Sequence, residues 1–509
     1  MRLSSLPRFS VLLLCGSSLI GLTACGGSGG NSSSTATPVA VVPPPPPPPP
    51  APSSNATKIT VTGPIDGFGS VIVNGVRYDT GEADVEVGDD AGNITDLSVG
   101  QVISLRARNG ADGETPIAER IRYEDLVKGP VDSIPADGST LVVLGQTVRI
   151  ADALFEPSLD PATIAVDDVL EVSGVFNADG EIEATYVERS DDDDYEVHGF
   201  VTDLDETAQT FRIQDLTVGY ATAALEDFDD GETLSNGDLV EVEGSTRTND
   251  GTLIATEVEY EGDDLDELRG DADEAEAEIY GFVSVFTSAE NFEVNGIVVV
   301  TDDDTVFERC SRDTIALNTP VEVEGVFDGD GVLLADAVKC ELEANNRIEA
   351  RVDDVDAEAG TVTVLNVTVA TDAGTRFQDK SDARVREFGL DDIQAGDVVH
   401  IRFFDGADDA LPIAKRIRRE DAEDFEESEV RGVLESIEGD DIVVAGVRIS
   451  LNAQTEYELD EFDVSRMAFF DVVDIGSFVK IEGREGDDGN LVAHEVEREL
   501  EDDDSGDGD

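Results

Sequence analysis

The sequence predicts an all-β protein: a tandem array of about six small five-stranded barrels behind a signal peptide and a Pro-rich linker. Three observations predict it. From residue 58 to 500 one pattern returns six times, with a period of roughly 65 to 80 residues. Val alternates with Glu, as in Val240-Glu241-Val242-Glu243, the period-two signature of a strand with unlike faces. Asn-Gly and Asp-Gly pairs punctuate these runs at the spacing of tight turns.

Each repeat opens on a strand carrying Gly, as in Val61-Thr62-Gly63-Pro64-Ile65, Val197-His198-Gly199-Phe200-Val201, Ile279-Tyr280-Gly281-Phe282-Val283 and Val430-Arg431-Gly432-Val433-Leu434. Gly inside a strand marks a bulge or a sharp bend. A hairpin follows, clearest at Val71 to Val76 and Phe292 to Val298, where Asn74-Gly75 and Asn295-Gly296 supply positive dihedrals. After a polar connection of variable length comes a second hairpin, with Gly237 to Gly244 returning through Asn249-Asp250-Gly251 to Leu253 to Glu259. Its relatives are Val169 to Gly174 with Ile182 to Glu188, Val321 to Gly325 with Leu333 to Lys339, and Val479 to Gly483 with Leu491 to Glu497. The alternation reads as one face inward and one in water. A meander, a connection and a hairpin give the order of an OB-like β-barrel. An immunoglobulin-like sandwich needs about seven strands and more length.

The repeats fall at 58–125, 126–190, 191–262, 278–343, 344–426 and 427–500, with an acidic linker at 263–277 and an acidic tail at 501–509. Barrels this small bury modest cores, so neighbours are expected to pack on one another or be held as beads. Short junctions near 126, 191, 344 and 427 favour packing. Glu261 to Glu278 reads as a helix or a hinge between two groups of three.

Residues 1–24 read as an export signal, with Arg2 and Arg8 ahead of the apolar runs Val11 to Leu14 and Leu19 to Leu22. Leu22-Thr23-Ala24-Cys25-Gly26 resembles the bacterial lipobox. That resemblance implies that Cys25 becomes the acylated mature N-terminus. With Gly26 in place of an Asp it implies an outer-membrane lipoprotein, periplasmic or surface face open. Residues 25–57 are a lipid-anchored flexible and polyproline linker that includes the unbroken run Pro43 to Pro50. At about 3.1 Å per residue that octet spans roughly 25 Å as a stiff spacer.

The string GPIDGFGSVIVNGVRYDT from Gly63 to Thr80 resembles the opening of a domain of unknown function, family 5666, that recurs in tandem in bacterial envelope lipoproteins. The resemblance weakens in later repeats, where Gly-Phe-Gly-Ser is lost but the Val-Glu-Val-Glu-Gly hairpin persists. It implies a lipid-anchored envelope protein built from β domains and brings no activity with it.

Composition bounds the function. Of 509 residues, 115 are Asp or Glu and 34 are Lys or Arg, so the net charge is 34 − 115 = −81. Nucleic acid is excluded as a general partner, because its phosphates are neutralised by cations this chain lacks. Adhesion to anionic lipid is disfavoured for the same reason, whereas a covalent lipid anchor works through buried methylenes. With no Trp and 6% aromatic residues, stacking platforms for sugars or bases are not expected.

Few side chains suggest chemistry. Cys15 leaves with the signal and Cys25 is lipidated, which leaves Cys310 and Cys340 in an oxidising compartment, where a disulfide is expected. His198, His400 and His494 lie in three different repeats with no zinc or triad spacing, and read as surface or core strand residues. No phosphate loop, dinucleotide fingerprint or His-Glu-x-x-His occurs, and the Gly-x-Ser-x-Gly match at Gly26 to Gly30 falls in the Gly/Ser linker, without the strand-to-helix turn that motif needs. No cofactor is expected. Weak calcium candidates are Asp302, Asp303, Asp304, Asp328 and Asp330, yet aligning the Asp-Gly turns on an EF-hand loop leaves Val175, Thr246 or Val326 where a carboxylate is required. Arg384, Arg386, Lys415, Arg416, Arg418 and Arg419 concentrate positive charge in the fifth repeat. Ordinary intramolecular ion pairing is the favoured reading, and the alternative is that these strands face acidic neighbours or an anionic envelope partner. The expectation is a non-catalytic, lipid-anchored envelope scaffold or binding array, its partner an unknown envelope protein or glycan. The alternatives are a calcium-dependent adhesion or matrix protein and, weakest, a hydrolase using carboxylate pairs.

Overall fold

The computed structural model describes residues 58–499, apart from 89, 111–114, 136–137, 191–193, 229–232, 262–274, 330, 343, 407–409, 424, 460–461 and 487–488. The expected signal peptide, Cys25, the linker at 25–57 and the acidic tail lie outside the described residues.

The fourth repeat illustrates how a barrel closes. Its first strand, Glu276–Ser288, is followed by the hairpin strands Asn291–Val294 and Ile297–Val300. Asn295 and Gly296 between them have φ of 49° and 73°, the paired positive dihedrals that match the twist of the flanking strands. A connection containing Val306–Glu308 leads to the second hairpin, Pro320–Phe327 with Leu333–Cys340. The first strand shifts register between Val283 and Val285. Ahead of that bulge it pairs with the fourth strand, Ile279 opposite Val323, and across it with the second, Val283 opposite Val294 and Val285 opposite Glu293. The third strand then joins the fifth in parallel, Val299 opposite Leu333, which closes the circuit 1-2-3-5-4.

All six repeats close this way. The parallel closures are Asp79–Ile117, Val148–Ile182, Val218–Leu253, Val299–Leu333, Ala370–Ile413 and Ile449–Leu491. In the third repeat the first, fourth and fifth strands are each broken in two without opening the circuit. Gly174, Gly325 and Gly483 occupy the bulge of the fourth strand and Gly244 the break that replaces it in repeat 3, and at each a Cβ would lie 2.1 to 2.5 Å from a carbonyl oxygen of the fifth strand. That close approach is why the Val-Glu-Val-Glu run ends in Gly. The barrels are filled by the Val, Ile and Leu of the alternation, among them Val61, Val73, Ile279, Val323, Ile348 and Ile481, all at most 1% exposed. Each such side chain contributes about 1.5–3 kcal/mol by leaving water.

The bulge has a second consequence. The early half of each first strand has only one partner inside its own barrel, so its other edge is open. These edges pair with one another. Val127 and Lys128 lie opposite Val197 and Glu196, joining repeats 2 and 3 antiparallel. Arg347 to Glu349 lie opposite Arg431 to Glu429, joining repeats 5 and 6. Ile59 to Thr62 run parallel to Glu276 to Ile279, joining repeats 1 and 4. Repeats 2 and 3 also share one apolar cluster, as do repeats 5 and 6.

Three couples therefore replace the expected two groups of three, and repeat 1 takes a partner distant in sequence because the open edge, not chain proximity, selects it. The acidic linker expected over 263–277 ends earlier, since Glu276 and Ala277 are already strand, opposite Ile59 and Thr60; most of the rest lies outside the described residues.

Candidate functional site at the seams between barrels

Outward-facing residues of the first and fourth strands were expected in water. In the seams they are buried instead, because another barrel covers that face: His198, Glu241, Glu276, Glu278 and Glu322 are 4 to 8% exposed. The repeats use this surface differently.

At the seam of repeats 2 and 3, Glu196 and His198 leave the outer face of Tyr195–Phe200, two residues apart, and Glu241 of Leu239–Gly244 lies opposite His198. His198 Nε2 is 3.4 Å from Glu196 Oε1, and Lys128 Nζ is 3.5 Å from Glu196 Oε2. The ligand-capable atoms of Glu196, His198 and Glu241 all lie within 4.8 Å of one another. Burial pushes the Glu241 carboxyl up to about 9 against the pull of His198, with Glu196 and Glu261 adding to the rise. Burial works against a charged His198, but its bond to Glu196 and the nearby Glu241 and Glu261 hold it well above the ordinary imidazole range. Burial, with Glu196 and Glu171, also raises Asp125.

At the seam of repeats 1 and 4 the corresponding residues are all oxygen donors. Glu278, Glu322 and Glu324 converge, the Tyr78 hydroxyl reaches Glu278 Oε2 at 3.5 Å, and Lys339 Nζ donates to Glu322 at 2.7 Å. Burial, then Glu322 and Glu324, raise Glu278; burial carries Glu322 up to about 7 despite Lys339.

Repeat 5 is the inverse. Arg402 and Lys415 both bind the Asp152 carboxylate of repeat 2, Lys415 at 3.2 Å. Arg416 donates to the carbonyl of Ala153 at 2.7 Å, and Gln378 to that of Phe155 at 3.0 Å. Burial opposes ionisation of Asp152, but Lys415, Arg402 and Arg416 hold it well below the usual carboxylate range. Arg376 binds Asp66 of repeat 1 at 3.1 Å, and burial raises Asp66 to about 6 even so. Around this pair, a cavity of about 30 Å³ between repeats 1, 4 and 5 balances Asp66, Glu322, Glu341 and Asp372 against Arg309, Lys339, Arg376 and Lys415. It has room for little more than a water.

The six basic residues of the expected partner patch are thus spread over different contacts. Lys415 and Arg416 meet repeat 2, and Arg386 donates to the carbonyls of Ile94 and Thr95 in repeat 1 and stacks 3.8 Å over Phe68. Arg419 grips Asp379 with two bonds, at 2.9 and 2.6 Å, and Arg418 binds Glu420 and His400. Arg384 is exposed. Cys310 and Cys340 form a disulfide, Sγ to Sγ 2.02 Å.

Among the described residues, the weak calcium candidates Asp302, Asp303, Asp304 and Asp328 join no cluster of metal-ligating side chains. Asp302 accepts from the Asp304 amide at 2.8 Å, and Asp328 caps the next turn by accepting from Val332 at 3.0 Å. Asp330 lies outside the described residues. His494 is exposed, 3.5 Å from Glu427. Sequence reasoning missed Glu196, Glu241 and Asp152. The signal available was Glu-x-His on a first strand facing a Val-Glu-Val-Glu fourth strand.

A family model described as a domain of unknown function (DUF5666) matches residues 128–188, 198–259, 280–339, 349–418 and 431–497. The chain belongs to this family. The matched DUF5666 segments coincide with barrels 2 to 6. Barrel 1, whose Gly63 to Thr80 string carried the resemblance in the sequence, lies outside the matched segments, although it closes by the same circuit. No curated protein matches the chain. Among solved structures, one titled drosophila Unr CSD456 is 14% identical over 44% of this chain and 95% of that one. Its TM-score of 0.11 carries no argument about fold or ligand.

Proposed function

We propose that this DUF5666 protein is a non-catalytic, lipid-anchored scaffold of the cell envelope that presents its barrels to an envelope protein or glycan. The observation that carries the reading is the fate of the charged side chains. Arg376, Arg386, Arg402, Lys415 and Arg416 are spent within the chain, at contacts that hold barrels to one another. A body held together in this way suits a rigid spacer. The lipobox ending in Cys25 and the polyproline spacer support an anchored outer-membrane location.

The face left for a partner includes the connection of repeat 6, where Phe462, Met467, Val472 and Ile475 are 51 to 77% exposed, an apolar concentration of the kind that marks interaction surfaces. Fractionation tests the anchor: Cys25→Ser is expected to move the protein from the membrane pellet to the soluble fraction, and retention in the pellet would overturn it. Site-specific cross-linking in envelopes tests the scaffold. Adducts formed through Met467 are expected to disappear in Phe462→Ser/Ile475→Ser, and persistence of the same adducts would exclude that face.

A further inference from the structure

We propose that Glu196, His198 and Glu241 form a binding site for a borderline divalent metal ion of the zinc and cobalt class. Two residues on one strand, separated by one, share a face, and the cross-strand partner of the second brings a third donor beside them. This is how a sheet can assemble three ligands without a loop.

The distances fit such an ion. With bonds of about 2.0–2.2 Å, two ligands of a tetrahedral zinc stand about 3.4 Å apart. His198 Nε2 and Glu196 Oε1 are separated by 3.4 Å, longer than the usual N–H···O contact of about 2.9–3.0 Å. Small side-chain rotations bring the third donor from within 4.8 Å to the same spacing. The fourth position is left to water, as in zinc sites with three protein ligands.

A second observation points to a missing occupant. Glu241 is 8% exposed and its side-chain carboxyl accepts no hydrogen bond among the described residues, although a buried carboxyl without a donor is costly. Its neighbours do not supply the compensation, since Glu196, Glu261 and Glu124 add negative charge and Lys128 is directed to the far oxygen of Glu196. A divalent cation would satisfy Glu241 and offset the surplus.

The donor set selects the metal. An imidazole nitrogen with two carboxylates suits zinc or cobalt, whereas calcium takes oxygen ligands. The seam of repeats 1 and 4 provides the contrast: Tyr280 stands where repeat 3 has His198, and Lys339 already neutralises Glu322.

The test titrates zinc, and cobalt by its visible absorption, into the purified full chain, with His198→Gln, Glu241→Gln and Glu322→Gln alongside and circular dichroism to establish folding. One equivalent is expected to bind, with tetrahedral cobalt bands. His198→Gln and Glu241→Gln should each weaken binding at least about tenfold, and Glu322→Gln should leave it unchanged. Glu241→Gln preserves shape and guards against a folding failure of His198→Gln. Absence of saturable binding to the native chain, equal binding by the native chain and the folded Glu241→Gln variant, or displacement of zinc by equimolar calcium would each overturn the site.

Discussion

His198 and His400 sit on outward faces of barrel strands beside a first-strand seam, yet their surroundings drive them in opposite directions. For His198, burial is outweighed by Glu196, Glu241 and Glu261, which lift the imidazole well above its ordinary value. For His400, burial and then Arg418, Arg416, Arg347 and Arg402 depress the imidazole well below its ordinary value. The geometry agrees. Arg418 Nη2 is 3.0 Å from His400 Nδ1, and a guanidinium can only donate, so Nδ1 accepts and the ring is neutral with its proton on Nε2. One barrel design thus supports either sign of charge on the same face. What differs is how the charge is satisfied: the basic residues of repeat 5 reach carbonyls and Asp152 of another repeat, whereas burial and crowding raise Glu241 in repeat 3 and Glu278 and Glu322 in repeat 4.

The largest test of that contrast is the pH dependence of stability. Asp66, Glu188, Glu322 and Glu241 are raised to about 6, 7, 7 and 9, with burial the leading cause for each. Raised carboxyls contribute stability that is fully present below their unfolded values near 4 and lost as pH rises through the folded values. His198 acts in the same direction above its unfolded value of about 6.5. Asp152 is depressed, so its contribution is present above the unfolded carboxylate value and lost only in stronger acid; His400 opposes weakly, losing stability as pH falls below about 6.5. The metal-free protein is therefore expected to lose about 3 kcal/mol between pH 5 and pH 8, read by urea unfolding. Stability rising over that interval would break the contrast.

Next in size is Asp152→Ala. It leaves Arg402, Lys415 and Arg416 without their shared carboxylate and is expected to cost about 2 kcal/mol at pH 7, with repeat 2 becoming more accessible to protease. An unchanged denaturation midpoint would mean that the carbonyl contacts alone hold the basic junction.

Glu241→Gln, by contrast, replaces a carboxyl already protonated at pH 7 with a neutral amide of the same shape. In the metal-free protein its midpoint should stay within about 0.5 kcal/mol of the native value. The smallest perturbation is no substitution at all: imidazole NMR at pH 7 should find His198 doubly protonated and His400 neutral in the Nε2–H form. Two neutral rings would remove the contrast.

The barrels were legible because the information is local. Val-Glu alternation, Asn74-Gly75, Asn295-Gly296 and the terminal Gly of each Val-Glu-Val-Glu run specify strands, turns and bulges within a few residues. The seams were not, because alternation separates the inside of a barrel from its outside without saying what covers the outside. Glu278 and Glu322 look solvent-facing in the sequence and become buried only because Ile59 to Thr62, more than 200 residues earlier, lie along the next edge. The excess of Lys and Arg in repeat 5 was visible, but its counterpart Asp152 is one acid among 115. His198 passed as an isolated histidine because its companions are two of the commonest residues in the chain.

Pairing of first strands also imposes parity. Among the described residues, the first strands of six units settle into three couples, whereas a version shortened or lengthened by one would carry a bachelor strand, ready to recruit a second molecule. Loss or duplication of modules in this architecture is therefore expected to be tolerated in twos, and an odd-numbered derivative should dimerise or aggregate while its even-numbered siblings stay monomeric.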